Sequence, residues 1–146
     1  MSTAAKKEIV RNWFDAVNAG DEKRILALLT DDFLFKAMAR SPHWLIYRWS
    51  GQEFAAAPKA MSTLLKTPVV MEIVGMIAED NEVAVEAQTD AELQNGKRYN
   101  NAYHFVFVIR DSKIAEVREY CCSHLVQECF GEFNPNNPAA SRGAAT

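Results

Sequence analysis

The stretch that decides the fold runs from Lys97 to Ser123 and reads KRYNNAYHFVFVIR-DSK-IAEVREYCCS. Tyr, Phe, Val and Ile, which favour strands, dominate its first long run, a second β-prone run follows, and Asp111-Ser112-Lys113 between them has the composition of a turn. The pattern predicts a β-hairpin. Upstream, Asn95-Gly96 is typical of a type I′ turn, so a third strand precedes the hairpin. The predicted meander consists of the strands Glu82–Gln94, Lys97–Arg110 and Lys113–Cys122.

The two faces of the middle strand predict how the sheet is covered. Successive side chains point to opposite faces of a strand. One face would carry Tyr99, Asn101, Tyr103, Phe105, Phe107 and Ile109, and the other would carry Asn100, Ala102, His104, Val106 and Val108. Both faces are largely apolar beyond Ala102, so we expect helices or a pocket on one side and a partner subunit on the other. The protein would then be a homodimer or a higher homo-oligomer.

Length and composition favour a single globular domain, which we assign to residues 1–132, followed by a mobile tail at 133–146. A net charge of −3 without clustered basic residues argues against nucleic-acid binding. The N-terminus lacks the apolar core of a signal peptide, and no apolar run is long enough to cross a membrane. We therefore expect a cytoplasmic protein without a membrane partner.

The first half of the chain predicts three helices. Apolar periodicity indicates a helix over Ala4–Ala19 that ends at Gly20, and Asp21 caps a short second helix. Ser50-Gly51-Gln52-Glu53 is a capping box that begins a third helix, in which Pro58 should cause a kink or a break. Two further strands are predicted at Phe33–Met38 and Val69–Glu79.

An aromatic run, His43-Trp44-Leu45-Ile46-Tyr47-Arg48-Trp49, lies between the first of these strands and the third helix. It is compatible with a short strand that covers the core. It is also compatible with the rim of a pocket, which would offer stacking surfaces and a cation.

The order of elements resembles the nuclear-transport-factor-2-like superfamily, which includes ketosteroid isomerase, scytalone dehydratase, limonene epoxide hydrolase and the SnoaL-like polyketide cyclases. The resemblance is carried by WFDAVNAGD at residues 13–21, by GKRYNN at 96–101 and by REY at 118–120, and it spans residues 6–131. It implies an α+β fold in which a cone-shaped, curved mixed β-sheet wraps around three N-terminal helices and encloses a cavity.

The resemblance also implies a site. Arg118-Glu119-Tyr120 is similar to the Arg-Asp-Tyr of limonene epoxide hydrolases, which makes Glu119 a candidate inward-facing catalytic carboxylate. In a gapless alignment that enzyme's Arg-x-Asp pair falls on Glu86 and Gln88, and neither residue matches. The base and the oxyanion-hole tyrosine of ketosteroid isomerase are not matched either.

The resemblance places Glu86, Gln88 and Asp90 on the inward face with Glu119. Alternation alone offers the opposite interpretation, in which the intervening Val and Ala residues face the core and the polar row faces solvent. We favour the inward placement because the neighbouring strand has no comparably polar face.

Acidic side chains inside a closed cone would have raised pKa values, which suits general acid and base chemistry at neutral pH. Glu119 and Glu86 would titrate separately, because each disfavours the ionisation of the other. Tyr103 and Tyr47 would donate hydrogen bonds to a developing oxyanion, and Arg48 would hold a phenolate or carboxylate.

The leading hypothesis is a cofactor-independent enzyme that performs general acid and base chemistry on an apolar, aromatic small molecule. The resemblance allows a lyase, a dehydratase, an isomerase or a cyclase. The candidate catalytic residues are Glu119, Glu86, Tyr103 and Arg48, and the candidate substrate-binding residues are Gln88, Asp90, Asn101, Tyr47, Trp44, Phe105 and Met61. The sequence contains no metal-ligand spacing and no nucleotide or flavin motif. Two alternatives remain open: a non-catalytic module that binds a ligand or a protein, and an epoxide hydrolase.

Overall fold

The computed structural model describes residues 1–133. The predicted tail therefore lies outside the described residues, apart from Phe133. Two 3₁₀ turns occur, at His43–Leu45 and Gly131–Phe133. The other elements are, in chain order, α1 Thr3–Asn18, α2 Glu22–Ala27, β1 Leu29–Ala37, β2 Arg48–Ser50, α3 Gly51–Ser62, β3 Val70–Glu79, β4 Glu82–Glu92, β5 Arg98–Tyr99, β6 Ala102–Arg110, β7 Lys113–Cys121 and α4 Ser123–Phe130.

One mixed sheet organises these elements, with the strand order β2-β1-β7-β6-β4-β3 and β5 paired to β4. β1 runs parallel to β7, and the other pairs are antiparallel. The sheet curls strongly into a half-barrel around the N-terminal helices, which confirms the predicted α+β cone. Among residues 1–133, no helix is long and apolar enough to span a membrane.

The first three α-helices begin at a side-chain cap, whereas α4 begins without one. The predicted capping box is present: the Ser50 Oγ accepts from the Glu53 amide at 3.3 Å, and the Glu53 carboxylate accepts from the Ser50 amide at 3.1 Å. The predicted break at Pro58 does not occur, since α3 continues to Ser62. Proline removes only one helical hydrogen bond, and the buried Phe54 and Ala55 pack this helix against the core.

The turn predicted between β6 and β7 is confirmed, whereas the turn at Asn95-Gly96 differs from the predicted type I′ turn. A type I′ turn requires a positive φ at two successive residues, and Asp111 and Ser112 have φ values of 53° and 61° between β6 and β7. At the Asn95-Gly96 turn, Gly96 has a φ of 83° but Asn95 is not in the left-handed region. The Gly96 amide donates to the Leu93 carbonyl at 2.9 Å, which gives a longer loop with glycine at its left-handed position.

The predicted middle strand is divided into β5 and β6 at Asn100-Asn101. The division arises because the Thr89 Oγ1 takes the place of a backbone acceptor and binds the Asn101 amide at 3.1 Å. Beyond this point the predicted alternation is confirmed: Tyr103, Phe105, Phe107 and Ile109 are buried.

The inward side chains of β6 build the core together with α1. Trp13 stacks on Phe54 with ring centroids 5.3 Å apart, and it meets Phe107 edge-on at 5.0 Å. On the opposite face of β6, His104 is exposed and Val106 and Val108 are half-buried. The partner subunit expected on this outer face stays a prediction.

Candidate active site

A cavity of about 1020 Å³ lies between the concave face of the sheet and the helices. Its walls come from distant parts of the chain, since α1, β1, α3, β6, β7 and α4 all contribute residues. Most of the lining side chains are apolar or aromatic, and they include Trp13, Phe35, Trp49, Phe54, Phe105 and Phe130. A concave, mostly apolar space with few polar groups is the usual form of a small-molecule site.

Glu119 is the acidic residue on this wall. It lies on β7, where Ala37 of β1 and Phe105 of β6 are its register partners. Among residues 1–133 it forms no ion pair, and its side-chain contact is the Cys121 Sγ, a weak donor 3.9 Å away. Burial raises the pKa of Glu119 from 4.5 to about 7. The carboxyl therefore exists as comparable amounts of acid and base near neutral pH.

The thiol beside Glu119 has no nucleophilic character. Burial raises the pKa of Cys121 to about 12, and the charge of Glu119 adds to this effect. The sulfur stays protonated and acts as a donor toward the carboxylate.

A tyrosine pair forms the second polar feature of the cavity. The hydroxyls of Tyr99 and Tyr103 are hydrogen-bonded to each other, and the Asn101 Nδ2 donates to the Tyr99 hydroxyl at 3.1 Å. Asn101 is held in turn by the backbone of Cys122, whose amide donates to the Asn101 Oδ1 at 3.0 Å. Burial raises the pKa of both tyrosines, so they remain neutral phenols that can donate.

Tyr47 supplies a third hydroxyl. Its ring stacks against Trp49 with centroids 4.3 Å apart, which fixes its orientation beside β2. Burial raises the pKa of Tyr47, and the negative charge of Glu119 raises it further. The Ala37 amide donates to the Tyr47 carbonyl at 3.1 Å and Ala37 is the register partner of Glu119, so Tyr47 and Glu119 line the same part of the cavity.

Several predicted site residues meet in the cavity. Its walls include Glu119, Tyr103, Tyr47, Trp44, Phe105 and Met61. Asn101 is buried behind the tyrosines, where its contacts are to Tyr99, Thr89 and Cys122. The aromatic run at 43–49 therefore forms part of a pocket wall, and its strand is limited to Arg48–Ser50.

The inward placement of Glu86, Gln88 and Asp90 is wrong. Antiparallel pairing sets Val85 opposite Phe105 and Glu86 opposite His104, so the polar row lies on the exposed outer face. The alternative interpretation from alternation was correct. Asp90 forms two hydrogen bonds of 2.9 Å with Arg98 on this surface.

Arg48 is also misplaced by the prediction. It is exposed and is not among the lining residues, and its guanidinium donates to the Tyr47 carbonyl at 3.5 Å. Alternation along β2 places Trp49 on the cavity side, so the neighbouring Arg48 lies on the exposed side of the strand.

The C-terminal helix is a part of the site that the sequence did not predict as such. α4 spans Ser123–Phe130, and Val126 and Phe130 line the cavity. The Trp44 indole N–H donates to the Gln127 Oε1 at 2.7 Å and joins the aromatic wall to this helix. The apolar spacing of Leu125, Val126 and Phe130 was the available signal.

Among residues 1–133, no group of three or more His, Cys, Asp or Glu side chains is arranged to hold a metal ion.

Comparisons with known proteins agree with this architecture. The model of the SnoaL-like domain matches residues 10–117. The structure is similar to an NTF2-like protein of unknown function from Burkholderia pseudomallei, with a TM-score of 0.74, 16% identity, and 88% of this chain and 98% of that chain covered. For PrhC from Penicillium brasilianum, the TM-score is 0.77 at 17% identity, with 97% and 92% covered.

An LEH-like epoxide hydrolase from M. tuberculosis is similar with a TM-score of 0.69 at 19% identity, and 86% of this chain and 89% of that chain are covered. Identities this low establish the shared fold alone. Comparison with curated proteins gives no significant match.

Proposed function

Since the chain belongs to the SnoaL-like domain family, we propose that it is an enzyme that moves a proton within an apolar small molecule bound in the cavity. The observation that carries the proposal is one carboxyl, Glu119, on the wall of a mostly apolar cavity, without an ion pair among the described residues. A carboxyl in such surroundings is unstable as an anion, and it gains most from a substrate that gives it a proton.

Glu119 would act as the base toward an acidic C–H or O–H bond of the substrate. As the proton moves to the carboxylate, negative charge develops on the substrate, either on the oxygen of the O–H group or on a carbonyl oxygen next to the C–H bond. Tyr103 and Tyr47 are neutral phenols that line the same cavity, and the hydrogen bond between the Tyr99 and Tyr103 hydroxyls orients Tyr103. Asn101 is a positioning residue, because it holds Tyr99 from behind.

The fate of the proton decides the reaction class. If Glu119 returns it to another atom of the same substrate, the reaction is an isomerisation. If the electrons of the broken C–H bond form a double bond and a leaving group departs with the electron pair of its own bond, the reaction is an elimination, as in a lyase or dehydratase. Both outcomes need one carboxyl that titrates near neutrality, which Glu119 provides at a pKa of about 7.

Epoxide hydrolysis fits the cavity less well. The Asp-Arg-Asp set of the hydrolase family needs two acids and an arginine around one water. Among the described lining residues, Glu119 is the sole acid and arginine is absent. Glu86 and Gln88, at the matching positions, face solvent.

A model reaction tests the proposal without knowledge of the substrate. In the elimination of 5-nitrobenzisoxazole, a base removes the ring C–H proton, the N–O bond breaks, and a coloured cyanonitrophenolate forms. We expect the wild-type protein to accelerate this reaction with a rate that rises as the pH passes about 7. Glu119→Gln should lower the rate about 10²-fold or more, because it removes the base.

Glu72→Gln is the matched control, since Glu72 is an exposed glutamate of β3 outside the cavity. Equal rates for wild type and Glu119→Gln would remove Glu119 from the mechanism. An equal loss in both variants would show that the effect does not come from the cavity.

One observation favours a second function, binding without catalysis. Tyr99 and Tyr103 satisfy each other, and Asn101 is bonded to Cys122, so this polar cluster is complete without a ligand. A pure binding protein would retain ligand affinity in Glu119→Gln and would not accelerate the elimination in either form.

A further inference from the structure

The charged residues around the cavity are distributed unevenly. Among the described lining residues, three are charged: Glu119, Lys59 and Lys66. Glu119 lies on the third of the six strands in the sheet path, whereas both lysines are exposed, Lys59 in the last turn of α3 and Lys66 in the loop before β3. The interior of the cavity therefore contains an acid. We call the exposed part of the lining at Lys59 and Lys66 the mouth of the cavity, and no carboxylate belongs to the described lining there.

The two lysines differ in their partners. Lys66 pairs with Glu92, with the Nζ 3.2 Å from a carboxylate oxygen. Within residues 1–133, Lys59 forms no ion pair, and its ammonium is available at the mouth. The protein as a whole has a net charge of −3, so this cationic mouth is a local feature.

We propose that the molecule bound in the cavity is an amphipathic anion, whose apolar body fills the aromatic interior and whose single anionic group lies at the mouth beside Lys59. The inference rests on the proposed function for the position of the reacting group at Glu119. It adds the substrate class and its orientation.

Two physical effects give this orientation. An anionic group beside Glu119 would lose its hydration and would meet a second negative charge, so the interior excludes it. At the mouth the same group stays partly hydrated and gains the attraction of Lys59. A neutral apolar molecule would use the interior in the same way but would gain nothing from Lys59.

Two fluorescent probes separate these possibilities. 1-Anilinonaphthalene-8-sulfonate carries an anionic group, and N-phenyl-1-naphthylamine has the same aromatic body without it. All three tryptophans of the chain, Trp13, Trp44 and Trp49, line the cavity. Energy transfer from tryptophan to either probe reaches across a protein of this size, so quenching reports total binding, and only the comparison of variants assigns the change in binding to the cavity.

We expect Lys59→Gln to raise the Kd of the sulfonate probe about two- to five-fold and to leave the Kd of the neutral probe unchanged. Lys59→Glu should weaken the sulfonate probe further. Because an exposed charge pair is screened by salt, the difference between wild type and Lys59→Gln should shrink at high ionic strength.

Lys23→Gln is the control, since Lys23 is an exposed lysine of α2 that does not line the cavity. The proposal is wrong if Lys59→Gln leaves both probes unchanged, if it weakens both equally, or if Lys23→Gln has the same effect. These binding results do not depend on turnover. An inactive protein with the expected probe selectivity would overturn the proposed function and leave the ligand class standing. An active protein without that selectivity would overturn the ligand class and leave the proposed function standing.

Discussion

Glu119 should make the stability of the protein depend on pH in a way that one substitution removes. Its pKa is 4.5 in an ordinary environment and about 7 in the folded protein, because burial disfavours the charged form. Between these two values the folded protein holds a proton that the unfolded chain has released. The free energy of unfolding should therefore fall as the pH rises through this interval and level off above it.

The size of the effect follows from the pKa shift. One pKa unit corresponds to about 1.4 kcal/mol, so ionising Glu119 costs about 3 kcal/mol more in the folded protein than in the unfolded chain. Glutamine has a similar shape and does not ionise. The unfolding free energy of the wild type minus that of Glu119→Gln should therefore decrease by about 2–3 kcal/mol from pH 5 to pH 8. The variant gains stability relative to the wild type as the pH rises.

Urea denaturation at several pH values measures this difference directly, because other titrating groups contribute equally to both proteins. Glu86→Gln is the matched control, since Glu86 is exposed on the outer face, and its difference from wild type should stay within about 0.5 kcal/mol. A difference between wild type and Glu119→Gln that stays constant from pH 5 to pH 8 would refute the claim that the cavity disfavours the ionisation of Glu119.

Three further predictions concern the framework of the site. Asn101→Ala should destabilise the protein by about 2–4 kcal/mol in thermal or urea unfolding, because the buried Asn101 side chain loses its two hydrogen bonds to the Cys122 backbone, whereas Asn100→Ala at the exposed neighbouring position should have little effect; equal losses would remove the special role of Asn101. Ser50→Ala removes a helix cap and should lower the unfolding free energy by about 1 kcal/mol, and an unchanged midpoint would contradict this. Light scattering at micromolar concentration should give a dimer or a larger oligomer, and a monomeric wild type would contradict this expectation. Ile77 is exposed on the edge strand β3, so Ile77→Glu should shift the protein toward the monomer if this apolar surface takes part in the contact.

The sequence predicted the fold because its patterns are strong and local. Alternation in β6, the capping box at Ser50 and the periodicity of α1 each indicate one element without outside help. The turn before β5 was mispredicted because Asn-Gly suits more than one loop, and the choice depends on where Leu93 and Lys97 pair. Such pairing is a tertiary property that a dipeptide cannot contain.

The site was predicted only in part, for a related reason. Glu119 was placed by resemblance, and it does line the cavity. Glu86 was misplaced by the same resemblance, because an alignment that is wrong by one residue along a strand moves every side chain to the opposite face. Simple alternation was the better guide there, since a strand beside Phe105 needs an apolar inner face such as Val83 and Val85 provide.

The hydrogen bond between Trp44 and Gln127 joins two segments that are 83 residues apart in the chain. One is the aromatic turn before β2, and the other is α4, which follows the strand that carries Glu119. This part of the cavity wall and the strand that carries Glu119 are thus separate pieces of the chain. Substitutions in α4 can therefore change which ligands fit the cavity while the strand neighbours of Glu119 stay the same. Ligand selectivity and the role of Glu119 could thus evolve independently.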